Sequence, residues 1–201
     1  MTQPDVAVAI LAAGRGSRLG GDVPKPLVEL RGRPLVSWAL GAATASDLRP
    51  VVLVVGHRGD AVTRAATEGV VVVRSRRWRR GIARSLRTAL EALEPWAQVG
   101  AVAIGLADQP LVGTDAYRRL AGAYRDGARL AVATYHGHRR NPVLLGRTMW
   151  PEARRLDGDE GARSLMHEED VVEVDCTDTG SAADVDTLED LREAERLLEA
   201  R

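Results

Sequence analysis

Phenylalanine is absent from this 201-residue chain, and aromatic residues make up only 3% of it. The core is therefore expected to be built from Ala, Val, Leu and Ile, a composition that suits a parallel sheet covered by helices. The single cysteine, Cys176, excludes an internal disulfide and a cysteine-based metal cluster, and it fits a reducing, cytosolic setting. Neither sign of charge dominates: 28 basic residues meet 28 acidic ones, so the balance points to neither nucleic acid nor a membrane as partner. No stretch approaches the roughly 18 apolar residues that span a bilayer, and the N-terminal MTQPDVAV has neither a basic flank nor a long apolar segment. The expectation is a cytoplasmic protein of one domain, without repeats or low-complexity linkers.

What the chain does have is a regular alternation of buried runs and helical patterns. Residues 6–11, 50–55, 70–73, 101–106 and 130–134 are short, continuous apolar runs that read as fully buried strands. Between them, residues 34–45, 60–68, 81–93 and 114–124 carry apolar residues at helical spacing. Ile82, Leu86, Leu90 and Leu93 share one face before Pro95, and Thr114 stands where a cap belongs. This pattern predicts an α/β fold, a doubly wound, mostly parallel sheet flanked by helices. Beyond Tyr135 it loosens. The polar HGHRRN stretch, the apolar run 142–145 and two brief helices at 147–155 and 160–167 read as an insertion covering the site. A strand at 171–174 and a helix at 187–199 follow, with Thr187 as cap and Asp190 as the acid of a capping box.

The stretch ILAAGRGSRLGGDVPKPL, residues 10–27, follows the first strand directly. Gly14, Gly16, Gly20 and Gly21 allow backbone N–H groups to wrap an anion, and Arg15, Arg18 and Lys25 supply matching charge, so the loop reads as a triphosphate cradle. It is not a Walker loop, because Lys25 lies between Pro24 and Pro26. Nor is it a dinucleotide fingerprint: after Gly14 and Gly16 the third position, 19, is leucine, and the prolines forbid the continuous helix that site needs. Asp108 ends the fourth strand run, at the carboxyl edge where ligands collect in open α/β sheets.

LAAGRGSRLG followed by PKPL resembles the nucleotide-binding motif of the Rossmann-like nucleotidyltransferases. WRRGIARSL, LADQP, RRNPVLL, LDGDEGARSL and ADVDTLEDL are similar to that superfamily's further segments, in the same order. Within it, the combination of ADQP, NPVLL and GDEGAR most resembles the MobA-like branch, close to the molybdenum cofactor cytidylyltransferases.

The resemblance implies a single-domain fold of the nucleotide-diphospho-sugar transferase type, with a nucleotide-binding part at about residues 1–112 and an acceptor-binding part and lid at about 113–186. It implies that Leu11, Ala12, Ala13, Gly14, Arg15, Gly16, Ser17, Arg18, Lys25, Gly81, Ser85 and Asp108 surround the nucleotide. Arg15, Lys25 and Asp108 would be catalytic, Lys25 lying at the α-phosphate. Mg²⁺, or Mn²⁺, would be held by Asp108 with Asp186 or Asp184; Asp186 is favoured, and the two face one way on an extended segment. His136, His138, Arg139, Arg140 and Asn141 would meet a phosphorylated acceptor, and Asp159 with Arg163 would hold the lid. The implied reaction is transfer of CMP from CTP to a molybdopterin-type acceptor, by a monomer or homodimer. Guanylyl transfer to molybdopterin or a phospho-acid, sugar-phosphate nucleotidyl transfer, a cofactor-delivery protein and an NAD(P) oxidoreductase remain the alternatives.

Overall fold

The computed structural model describes residues 5–16, 23–167 and 170–199, the side chain of residue 167 excepted. β1 (Asp5–Ala12) runs through the centre, seven of its eight residues buried. Val6, Val8, Ile10 and Ala12 point into one core and Ala7, Ala9 and Leu11 into the other, the two-residue period of a strand covered on both faces. A 3-10 turn (Lys25–Leu27) and a two-rung hairpin, β2 (Glu29–Leu30) with β3 (Arg33–Pro34), lead into α1 (Leu35–Ala45). Then come β4 (Val51–Val55), α2 (Gly59–Thr63), β5 (Val70–Arg74), α3 (Ile82–Leu93), β6 (Val99–Leu106), α4 (Thr114–Arg125), β7 (Leu130–Tyr135), β8 (His138–Gly146), α5 (Trp150–Ala153), β9 (Val171–Asp175) and α6 (Leu188–Glu199).

The seven long strands form one sheet in the order β5-β4-β1-β6-β8-β7-β9, parallel except for β8. Leu40 of α1 and Leu120 of α4 pack on one face, Leu86 and Leu90 of α3 and Trp150 of α5 on the other. Burying each such leucine contributes about 1.5–3 kcal/mol, so a core almost without aromatics is adequate. α6 closes over Leu30, Leu35, Leu111 and Val185 in a third cluster. Cys176 is buried, and burial pushes its thiol up to about 11, which leaves it inert at neutral pH. Among the described residues no helix is long and apolar enough to cross a membrane.

Three expectations are corrected. Helix 60–68 stops at Thr63, because Ala65 and Ala66 bond back to the carbonyls of Val62 and Thr63, tightening the chain into turns that carry it to the neighbouring strand. Thr114 is the first residue of its helix and not its cap; Gly113 holds the cap position, so close to Thr179 that a Cβ there would lie 1.8 Å from its carbonyl oxygen. The supposed insertion begins as a nine-residue strand, β8, wedged between β6 and β7. His136 and Gly137 both take positive φ, 50° and 77°, the geometry of a tight hairpin turn, and Val143–Leu145 then pair on both edges.

Candidate functional site

Leu11 pairs with Leu106, so β1 and β6 end side by side and the loops that follow them meet at the carboxyl edge of the sheet. Ala107 N–H donates to the Leu11 carbonyl, fixing where Asp108 begins. Across the gap Ala13 accepts from His57 N–H at 3.0 Å, and Gly56 permits this approach, since a Cβ there would sit 2.6 Å from the Ala13 oxygen. The chain from Gly14 to Gly16 therefore leaves the sheet from a fixed point.

Lys25 occupies the centre. It is the sole lysine among 28 basic residues, the other 27 being arginine. Its ammonium donates to Asp108 Oδ2 at 2.5 Å and to Asp186 Oδ1 at 2.8 Å. Its stem passes against Gly16, where φ is +60° and an added Cβ would fall 2.1 Å from Lys25 Cβ. Only glycine lets the loop close so tightly on this side chain. Burial pulls the ammonium's pKa down, but the two carboxylates together outweigh it and the net shift is upward.

Both acids are held by backbone. Val185 N–H donates to the Asp108 carbonyl at 2.9 Å, tying segment 184–186 to the end of β6. The start of α6 fixes Asp186: Asp190 Oδ2 accepts from Asp186 N–H and Thr187 N–H, while Asp190 N–H returns a bond to Thr187 Oγ1 at 3.2 Å. That is the expected capping box, and its hydrogen bonds hold the Asp190 carboxyl below the usual range. Asp184 is separated from Asp186 by the buried Val185, does not line the cleft in front of Lys25, and accepts from Gln109 Nε2 at 3.0 Å. Although Asp184 keeps an exposed edge, crowding by protein and then the charge of Asp108 push its carboxyl upward.

A cleft of about 510 Å³ opens in front of these groups. Of the expected nucleotide residues, Leu11, Ala12, Ala13, Gly14, Arg15, Gly16, Lys25, Gly81, Ser85 and Asp108 all line it, as does Asp186; Ser17 and Arg18 lie outside the described residues. Gly81 has a further constraint: φ is +94°, and a Cβ would meet the Gly158 carbonyl at 1.9 Å, so the LDGDEG loop rests directly on the start of α3. Ala83 N–H donates to that same carbonyl. The charges lining the cleft balance, Arg15, Lys25 and Arg79 against Asp108, Asp159 and Asp186, with the arginines near His57. His57, tilted against Trp78 with ring centres 5.2 Å apart, has its pKa lowered by partial desolvation and by Arg15, Arg58 and Arg79.

An adjoining cavity of about 400 Å³ shares Leu11, Ile82, Leu106 and Asp159 with the first. Ile104, Val132 and Met166 give it apolar walls, and Arg139, Asn141, Arg163 and Ser164 bring polar groups. The expected acceptor residues thus divide. Arg139 and Asn141 reach this cavity, whereas His136 and Arg140 line neither; alternation along β8 turns residue 140 away, and His136 sits in the hairpin turn. Asp159 and Arg163 both face the cavity but form no ion pair with each other among the described residues. Trp78, Arg79 and Asp159 in the main cleft were not singled out as nucleotide contacts from the sequence, although WRRG, which carries two of them, is one of the resembling segments.

Residues 8–174 match the family model described as MobA-like NTP transferase domain. The chain belongs to that family. It is 31% identical to nicotine blue oxidoreductase of Paenarthrobacter nicotinovorans, over 94% of this chain and 95% of that protein. It is 38% identical to the bifunctional protein GlmU of Kineococcus radiotolerans over 74% of this chain, but spans only 30% of that longer relative. Among solved structures, Rv0371c of Mycobacterium tuberculosis H37Rv superposes with a TM-score of 0.83 at 30% identity, covering 97% of this chain and all of the other. A manganese complex of Rv0371c superposes at 0.78.

Proposed function

We propose that this family member is a metal-dependent nucleotidyltransferase that moves CMP from CTP to a phosphorylated, molybdopterin-type acceptor and releases pyrophosphate. The observation that carries this reading is the convergence of Lys25, Asp108 and Asp186 at the mouth of a glycine-walled cleft. An acceptor phosphate oxygen attacks the α-phosphorus, the bond to the β-phosphate oxygen breaks, and pyrophosphate departs in line. The protein's part is to position two anions and to offset charge as it builds. Arg15 and the backbone of residues 14–16 suit the β- and γ-phosphates, and Lys25 the α-phosphate. In that division residues 1–112 bind the nucleotide and 113–186 the acceptor, with Arg139 and Asn141 as its polar contacts.

The carboxylates fit a divalent cation. Asp108 and Asp186 already converge on one positive charge, and among the described residues no group of three or more His, Cys, Asp or Glu would hold a metal by itself. Two carboxylates completed by substrate phosphates is the usual donor set for Mg²⁺, and Mn²⁺ takes the same oxygens. Asp108 and Asp186 would hold the ion, with Asp184 behind them; bound, it supplies charge neutralisation to the triphosphate.

Pyrophosphate release, measured with each nucleoside triphosphate with and without molybdopterin, tests the proposal. CTP with molybdopterin should give the fastest release, and release with no triphosphate and any acceptor would end the reading. The near full-length match to nicotine blue oxidoreductase favours a second reading, an oxidoreductase whose substrate would occupy the adjoining cavity. Substrate-dependent oxidation of NAD(P)H without pyrophosphate release would establish it.

A further inference from the structure

A third cavity, of about 290 Å³, lies away from the nucleotide cleft and is lined by Arg74, Arg76, Arg77, Arg84, Arg87 and Glu91 together with Ser75 and Thr88. Five arginines thus face one carboxylate. Residues 84, 87, 88 and 91 form one stripe of α3, at helical spacing, while Ile82 and Ser85 of the same helix line the main cleft. The segment from Arg74 to Gly81 is divided likewise: its first four residues line this cavity, and Trp78, Arg79 and Gly81 line the cleft.

Little within the protein offsets the charge gathered here. Arg74 is paired with Asp60 outside the cavity, and Arg87 donates to the main-chain carbonyls of Arg154 and Leu156, which are neutral. The side chains of Arg76, Arg77 and Arg84 make no hydrogen bond or ion pair among the described residues. Ser75, only 1% exposed, keeps a hydroxyl without a partner in the cavity wall, and Arg84 Nε and Arg87 Nε are buried without partners beside it. Unsatisfied buried donors are costly, and like charges at this density repel. An oxyanion would answer the repulsion, because guanidinium forks match phosphate oxygens. The volume of about 290 Å³ lies just below the usual range of small-molecule pockets, which suits a compact ion.

We propose that this arginine-lined cavity between the 74–77 segment and α3 is a second anion site that takes inorganic phosphate or pyrophosphate. It stands apart from the proposed reaction and does not depend on which nucleotide fills the main cleft. Calorimetric titration of metal-free protein with pyrophosphate, repeated with phosphate, tests it. An Arg15→Ala variant weakens the main cleft, and the remaining anion binding then reports the second site. Arg76→Glu with Arg77→Glu, both exposed side chains, should weaken that remaining binding by about tenfold or more, the worth of lost charge-assisted hydrogen bonds. CTP binding to the cleft and the melting temperature should be unchanged in the double variant made alone, which separates loss of the site from loss of the fold. Displacement of bound pyrophosphate by phosphate but not by cytidine supports the assignment. Anion binding unaffected by the double substitution, or no anion bound by Arg15→Ala, overturns it.

Discussion

Substituting Lys25 by methionine should move metal affinity and turnover in opposite directions. The Lys25 ammonium holds the very carboxylates proposed to bind the cation, at 2.5 and 2.8 Å, with side-chain exposures of 10% for Lys25, 29% for Asp108 and 36% for Asp186. A divalent ion must displace it. Two partly exposed ion pairs at about 1 kcal/mol each make about 2 kcal/mol, or about 30-fold in a dissociation constant. Lys25→Met should therefore tighten Mn²⁺ binding without nucleotide by about 30-fold, read from the loss of the free-ion paramagnetic resonance signal. Turnover should nevertheless fall by about 10²-fold, because on the proposed mechanism a preorganised charge at the α-phosphate is lost. Lys25→Arg supplies the contrast: its fork can grip both carboxylates more firmly, so Mn²⁺ binding should weaken. Unchanged or weaker Mn²⁺ binding in a folded Lys25→Met protein would refute the idea that Lys25 stands in the cation's place.

The same lysine should leave a mark on alkaline stability. Its folded pKa is raised above 10.5, so the stabilisation is complete below that value and is lost as pH rises through the higher folded value. The melting temperature of the unsubstituted protein should drop more steeply above pH 10.5 than that of Lys25→Met; parallel curves would count against the raised pKa. The two neighbouring acids should separate in a metal titration: Asp186→Asn should lose Mn²⁺ binding, while Asp184→Asn should weaken it by only about 10- to 100-fold, the range of a supporting residue. Equal losses would mean that both are ligands. Gly81→Ala should destabilise the protein by about 1–3 kcal/mol in urea unfolding, since φ is +94° and the new Cβ meets the Gly158 carbonyl. A smaller cost would show that the LDGDEG loop moves aside freely.

The parts of the fold that could be read in advance share one property: their signal is local. β1, β4 and β6 are unbroken apolar runs, α3 carries its apolar stripe in sequence, and the Thr187–Asp190 box joins residues only three apart. β8 escaped because its first three residues, HRR, are polar and exposed on the part of the strand beyond β6, while its apolar run is too short to read alone. The turn signal was there, a glycine after a residue that tolerates positive φ, but His136 is a weaker marker than asparagine or aspartate. Missing that strand also concealed why Arg139 and Asn141 part company with Arg140, a separation set by alternation within β8.

The centre of the site was legible only in pieces. The resemblance drew attention to Lys25, Asp108 and Asp186 individually, but they are 83 and 161 residues apart, and no spacing rule joins them. Their meeting depends on long-range features: adjacent parallel strands ending together, Val185 bonded to the Asp108 carbonyl, and Gly16 yielding room to the lysine stem. Position 25 shows what that geometry demands. In a chain that otherwise uses arginine for every cation, the one lysine sits where two carboxylates and, on the proposed mechanism, a phosphate compete for a single charge. A compact ammonium on a rotatable stem can pass from one set of partners to the other, whereas a planar guanidinium that met both carboxylates would be held by them. The arginines elsewhere are under no such requirement, which accounts for an exception confined to this position.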